Sequence, residues 1–295
     1  MRSALYTVVF ALILLTEIAG VVRAGDKPVV YWPYFNLPPH FIADGEAPPS
    51  GMGIDVVRAV QGELPEYEHV LIQASPQRIM EELHTGRESM VVCGLLKTPE
   101  REEYTLYSDI PCRVTFSMTI VMRREDLWRL APEGRTSLAY LAADQAQTFG
   151  YITGVNYGYF SRFVAPLMNN SDQHRTAAAH DVGQLLHMLL EKRIDWFVHD
   201  SPGIWYKAGE EGVRDRIALV QATECPAAPI FGYMACSRTK EGVEIMAHIN
   251  QALARLVESK QLYGILGKWV PNSLHAAFDR AYARRILALP HASEE

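Results

Sequence analysis

Residues 54–94 read IDVVRAVQGELPEYEHVLIQASPQRIMEELHTGRESMVVCG, and two helix–strand units are written in them. Ile54, Val57, Val60 and Leu64 recur near helical spacing, and Pro65 stops the run. His69 to Gln73 then reads as a short strand. Ser75-Pro76 opens a second helix, the serine as cap and the proline in the first turn; Ile79, Met80 and Leu83 follow, and Gly86 closes it. Met90 to Gly94 is a compact apolar run of the kind that forms a buried strand. This alternation predicts an α/β fold with a mostly parallel sheet under helical cover.

The pattern extends in both directions. Pro28 to Trp32 reads as a buried strand, and Asn36 to Gly53 as a loop dense in proline and glycine. Further on, Thr148 to Ile152 is strand-like, Asp181 to Leu190 helical, and Ile194 to Val198 a strand that ends at Asp200. Phe231 to Cys236 is again a strand, and Val243 to Val257 places Ile245, Ile249, Leu253 and Leu256 on one helical face. The stretch after Leu274, rich in Ala and Arg, predicts a surface helix. No internal repeat or low-complexity tract is present.

The first residues follow the grammar of a secretory leader: Arg2, an apolar run from Ala4 to Leu15, and Val22-Arg23-Ala24 before a polar start. Cleavage is expected after Ala24, with residues 1–24 as signal peptide and export of the rest. The apolar run falls short of the roughly 20 residues that a spanning helix needs. The whole chain carries a formal net charge of −6, and loss of Arg2, Glu17 and Arg23 makes it one unit more negative. That balance lacks the basic footprint of a nucleic-acid binder. The remaining ~270 residues exceed the roughly 100–200 usual for one domain, so two domains with a ligand cleft between them are expected. Cys93, Cys112, Cys225 and Cys236 show no C-x-x-C spacing; a disulfide among the last three fits an oxidising compartment, and Cys93 reads as a buried thiol.

A series of short motifs stands in a fixed order along the chain: Leu37-Pro38-Pro39 with Phe41, Gly51 to Asp55, Leu83 to Gly86, Gly94 to Arg101, Tyr107-Ser108-Asp109 with Pro111, Ile194-Asp195 leading to Asp200, and Ala252-Leu253 through Lys268-Trp269. In this ordered set the chain resembles the bacterial family 3 extracellular solute-binding proteins, the periplasmic receptors of polar amino-acid transporters. The resemblance implies two α/β lobes joined by two crossover strands, a periplasmic-binding-protein-like type II fold. The first lobe would comprise 25–113 and 233–295, and the second 114–232.

It also implies a site. A guanidinium offers a planar fork of donors that fits a carboxylate, and a threonine hydroxyl adds one more bond. Thr98 and Arg101 match the family's carboxylate-binding pair; read without the resemblance, Arg101 is a solvated arginine among Glu100, Glu102 and Glu103. Asp200 ends a strand where such folds place ligand contacts, and matches the aspartate that holds a ligand ammonium; its plainer reading is a cap before Ser201-Pro202. Gly154 and Asn156 occupy a glycine turn whose free N–H groups would receive an anion, although Val155 and Asn156 replace the family's small hydroxyl residues. Leu96 stands where the family has a hydroxyl. The aromatic clamp is reduced to Leu37-Pro38-Pro39-His40, so an aromatic floor falls to Trp32, Tyr34, Phe35 or Phe41, with the core as the other reading of Trp32 and Phe41.

No catalytic residue, metal or cofactor is assigned. His180 and His187 are roughly 10 Å apart on one helix, too far to share a metal, and His199-Asp200-Ser201 lacks the elbow and facing of a triad. The expected partners are a small amino acid or organic acid and a membrane permease, with the receptor a monomer. Two alternatives share the fold: a periplasmic dehydratase of the cyclohexadienyl type, and a soluble ligand sensor or adaptor.

Overall fold

The structure, a computed structural model, describes residues 27–288 apart from 44–45, 87–88, 117, 154–156, 158–159, 170–174 and 225–227. The leader, Gly154, Asn156 and Cys225 lie outside the described residues. The chain folds into two α/β lobes.

The first lobe starts with β1 (Val29–Tyr34), α1 (Met52–Gly62), β2 (Glu68–Gln73), α2 (Pro76–Thr85) and β3 (Val91–Leu95). The local signals act as expected: the Ser75 hydroxyl accepts the Arg78 N–H, and Gly86 closes α2 in the left-handed conformation at φ 64°. β1 and β2 run parallel, and a bridge from Tyr31 to Met90 joins β1 to β3. After the single turn α3 (Pro99–Glu102) comes the twelve-residue β4 (Thr105–Phe116).

The second lobe follows with β5 (Met118–Arg123), α4 (Leu127–Leu130), β6 (Arg135–Thr136), α5 (Leu138–Ala143), β7 (Phe149–Ile152), α6 (Ser161–Asn169), β8 (Thr176–Ala179), α7 (Val182–Leu190), β9 (Trp196–Asp200), α8 (Ser201–Glu210) and β10 (Ile217–Ala222). Its strands lie in the order β6-β10-β5-β9-β7-β8, with β5 antiparallel to both neighbours. Trp196 and Val198 face one core and Phe197 the other. A sheet covered on both faces calls for such unbroken apolar strands. Arg123, the last residue of β5, is buried, its guanidinium held by the Leu189 and Ile194 carbonyls and by Asp195 at 2.8 Å.

The chain then returns through β11 (Pro229–Ser237), which inserts between β3 and β4 and is antiparallel to both. It ends with α9 (Lys240–Glu258), α10 (Gln261–Gly267) and α11 (His275–Tyr282). One core draws on both chain ends: Val30, Ile54 and Val57 meet Ile249, Leu253, Phe278, Tyr282 and Ile286.

Three expectations need correction. The sheets are mixed, because β5 and the returning β11 run against their neighbours. The segment after Leu274 is not a surface helix, since Phe278, Tyr282 and Ile286 insert into the first lobe's core at one-turn spacing. Cys112 and Cys236 are free, buried thiols, so neither bridges the other or Cys225. Cys93 is buried as read, with its Sγ 3.6 Å from that of Cys112. Among the described residues no helix is long and apolar enough to cross a membrane.

Candidate functional site

The Leu37-to-Phe41 turn, with a cis bond between Pro38 and Pro39, presses His40 into the first lobe. Space for it comes from glycines: a Cβ at Gly94, whose φ is 83°, would lie 2.5 Å from His40 Nε2 and 3.2 Å from Arg113 Cδ. His40 Nε2 lies 3.1 Å from the Cys93 carbonyl. Burial, and then the nearby positive charge of Arg113, push its pKa down to about 3. The imidazole is therefore neutral, with Nε2–H donating to that carbonyl, and Nδ1 is sealed without a partner among the described residues.

Trp32 and Phe41 occupy the core of this lobe. The Trp32 indole N–H donates to His69 Nδ1 at 3.2 Å, and the Phe41 ring lies 4.2 Å from that of His40. Of the two readings open for these aromatics, their positions are those of core residues.

At the end of β3, Thr98 caps α3 by accepting the Arg101 N–H at 3.4 Å. The Arg101 guanidinium donates to the Leu96 carbonyl at 3.0 Å, which also receives the Tyr107 hydroxyl at 3.2 Å. The Leu96 side chain is exposed. Lys97 beside it sits over the Tyr233 ring, 4.1 Å from its centre.

Across the molecule, Asp200 ends β9 and caps α8, accepting the Gly203 N–H at 2.7 Å. Its other oxygen lies 3.1 Å from His199 Nδ1. Burial opposes charge on the His199 imidazole, but the hydrogen bond and attraction of Asp200 outweigh it and raise the pKa. Burial opposes ionisation of Asp200 too; His199, the Gly203 N–H and the charge of Arg113 overcome it and lower the pKa.

A cleft of about 980 Å³ opens between the lobes, lined by Asn36, Leu37 and Pro38 from the first and by residues of α7, α8 and the end of β9, including His199 and Asp200, from the second. Asp200 is thus at the cleft wall. Thr98, Arg101, Leu96, Trp32 and Phe41 are not among its lining residues. Arg113 on β4, a residue that belongs to none of the sequence motifs, is likewise not among the lining residues, and its charge is the smallest of the influences that lower the Asp200 pKa. The signal that marks it is an arginine between Cys112 and Val114, both buried in the core, on a strand where neighbours face opposite sides.

The profile of the bacterial extracellular solute-binding proteins, family 3, matches residues 34–272. No curated protein sequence matches the chain. Among solved structures, an ancestral cationic amino acid solute binding protein aligns with TM-score 0.64 at 17% identity, over 83% of this chain and 96% of that one. The L-cystine solute receptor of Neisseria gonorrhoeae, in its unliganded open conformation, gives 0.60 at 16% identity, over 83% and 93%. The Lactococcus lactis GlnP substrate binding domain 2, also open, gives 0.59 at 18%, over 83% and 97%. At these identities the likeness is one of fold.

Proposed function

Because the chain belongs to the bacterial extracellular solute-binding proteins of family 3, we propose that it captures a small carboxylate-bearing, amino-acid-like solute between its lobes and passes it on without chemical change. The observation that carries this reading is the cleft itself: its walls come from both lobes, and Asp200, a carboxylate held ionised, stands on one of them. The lobes divide at 113/114 and 232/233, and rotation about those two crossovers closes the cleft around the solute. Thr98 and Arg101 close on its carboxylate from the first lobe, and Asp200 holds its amino group from the second. Gly154 and Asn156 belong to the same reading as N–H donors to an anion. After export and removal of residues 1–24 the monomeric receptor delivers its load to a permease of the ABC-transporter type.

The test is to purify the protein without refolding and identify by mass spectrometry any small molecule released on denaturation, then to titrate that compound back. Asp200→Ala should weaken binding about 30-fold or more, the cost of truncating one member of a desolvated charge contact. No released compound, together with no stabilisation by any amino or organic acid, refutes the reading. Consumption of prephenate- or arogenate-like compounds would move the assignment to a dehydratase.

A further inference from the structure

We infer that the cleft selects a solute of net positive charge, an amino acid whose side chain ends in an ammonium or guanidinium group. The inference rests on the solute-capture reading and goes further by naming the charge class of the solute.

Every charge on the cleft lining comes from the second lobe, since the first contributes Asn36, Leu37 and Pro38. Five lining residues are carboxylates: Asp181, Glu191, Asp200, Glu210 and Glu211. Arg193 and Lys207 are the fixed cations. Five negative charges against two positive leave the lining at −3 while His187 and His199 are neutral, and it stays negative when both are protonated. The carboxylates are spread along the wall: Asp181 caps α7, Glu191 follows that helix, Asp200 ends β9, and Glu210 and Glu211 close α8. The sign therefore belongs to the whole face and not to one cluster.

The cations of the wall are already spent on it. Arg193 Nε lies 3.0 Å from Glu191, His199 Nδ1 3.1 Å from Asp200, and Lys207 Nζ 3.5 Å from Glu210 and from Glu211. One lysine between two glutamates leaves the charge of one uncompensated. Asp181 accepts the Gln184 N–H at 2.8 Å and, among the described residues, enters no ion pair. The excess gathers near Gly183, where a Cβ would lie 3.2 Å from Asp181 Oδ1 and 3.4 Å from Glu211 Oε1. Glu211 Oε2 has no hydrogen-bond partner among the described residues, and His187 Nε2 stands 3.6 Å from it. The wall's effect on a positive group shows in Lys207: burial opposes its charge, but Glu211 and Glu210 outweigh burial and raise its pKa.

In the capture reading Thr98 and Arg101 of the first lobe take the solute's carboxylate, so what the second lobe reads is the rest of the molecule. A face of one sign raises the local concentration of solutes of the other and disfavours like charge. The cleft, at about 980 Å³, also has room for a long side chain. A second cationic group beyond the α-amino group suits both the charge and the space. An acidic side chain would meet uncompensated carboxylates.

Isothermal titration of the mature protein with L-arginine, L-lysine, L-glutamine and L-glutamate tests this, using wild type, the double variant Glu210→Gln/Glu211→Gln, and Glu133→Gln at an exposed position outside the cleft. At least one of the two cationic probes should bind wild type at least about tenfold more tightly than glutamine, with glutamate weaker still. The double variant, which removes two negative charges and almost no volume, should narrow the gap between cation and glutamine at least about threefold. Glu133→Gln should leave that gap as it is. Equal affinity for all four probes, a wild-type preference for glutamine or glutamate, or a gap that the double variant narrows no more than Glu133→Gln does, overturns the inference and leaves solute capture standing. A neutral or anionic solute that co-purifies with the wild type does the same. Failure of every probe to bind, with no co-purifying solute, overturns the capture reading as well.

Discussion

Replacing Phe278 by alanine should destabilise the first lobe by about 3–5 kcal/mol, the range for removing a fully buried aromatic ring from a packed core. Phe278 is 1% exposed and shares a cluster with Leu253, Leu256 and Ile286. Its ring lies 5.4 Å from Tyr263 and 5.7 Å from Tyr282, contacts that add to the area term. At about 2–4 °C per kcal/mol for a chain of this size, the melting temperature should drop by about 6–20 °C. Urea unfolding followed by fluorescence and circular dichroism gives the free energy directly; Leu287→Ala, at a half-exposed neighbour, should stay within about 0.5 kcal/mol. A loss below about 1 kcal/mol for Phe278→Ala would mean that the C-terminal helix does not belong to the core.

Other expectations follow the same logic. Asp195→Ala removes the carboxylate that meets both Arg123 and the Thr148 N–H, and should cost the second lobe about 3 kcal/mol, the low end for breaking a buried pair because Asp126 still faces Arg123; chemical denaturation measures it, and an unchanged midpoint contradicts it. The pair His199–Asp200 should leave a pH signature. His199 has a folded pKa above its ordinary 6.5, so its contribution is complete below about pH 6.5 and vanishes as pH rises through the raised value. Asp200, depressed below 3.8, contributes fully above about pH 3.8 and is lost as pH falls through its lowered value. The stability difference between wild type and His199→Gln should therefore peak between about pH 4 and 6.5 and shrink above it; a flat difference would contradict the pairing. Gly94→Ala forces a side chain into a left-handed backbone and against the His40 ring, which should cost about 1–3 kcal/mol, readable as a lowered melting temperature; an unchanged one contradicts it.

The sequence was most legible where a single face is apolar and the ends are chemically marked. α2 between Ser75 and Gly86 and α7 after Asp181 lie as the residues predict, and α9 carries the expected stripe of Ile245, Ile249, Leu253 and Leu256. The antiparallel return of β11 between β3 and β4 was not legible, because strand direction depends on partners more than a hundred residues away. The tail misled through composition: Phe278, Tyr282 and Ile286 repeat every four residues, but alanines and arginines mask the stripe. In the site, Asp200 was found through its place at a strand end, and it both lines the cleft and caps α8. The burial of the Arg113 stem was not legible, because a lone arginine in a strand has no spacing to announce it, and the glycines it packs against, Gly94 and Gly232, lie on other strands.

The return of the chain to its first lobe also orders events in time. As the polypeptide leaves the ribosome N-terminus first, residues 118–222 hold everything that the six-stranded sheet requires and can close as they appear. β3 and β4 must wait for β11, and the surrounding core for Ile286 beyond it. Until β11 has been made the stretch from β1 to β4 is thus an incomplete half, and any machinery that must thread the chain unfolded finds it still open.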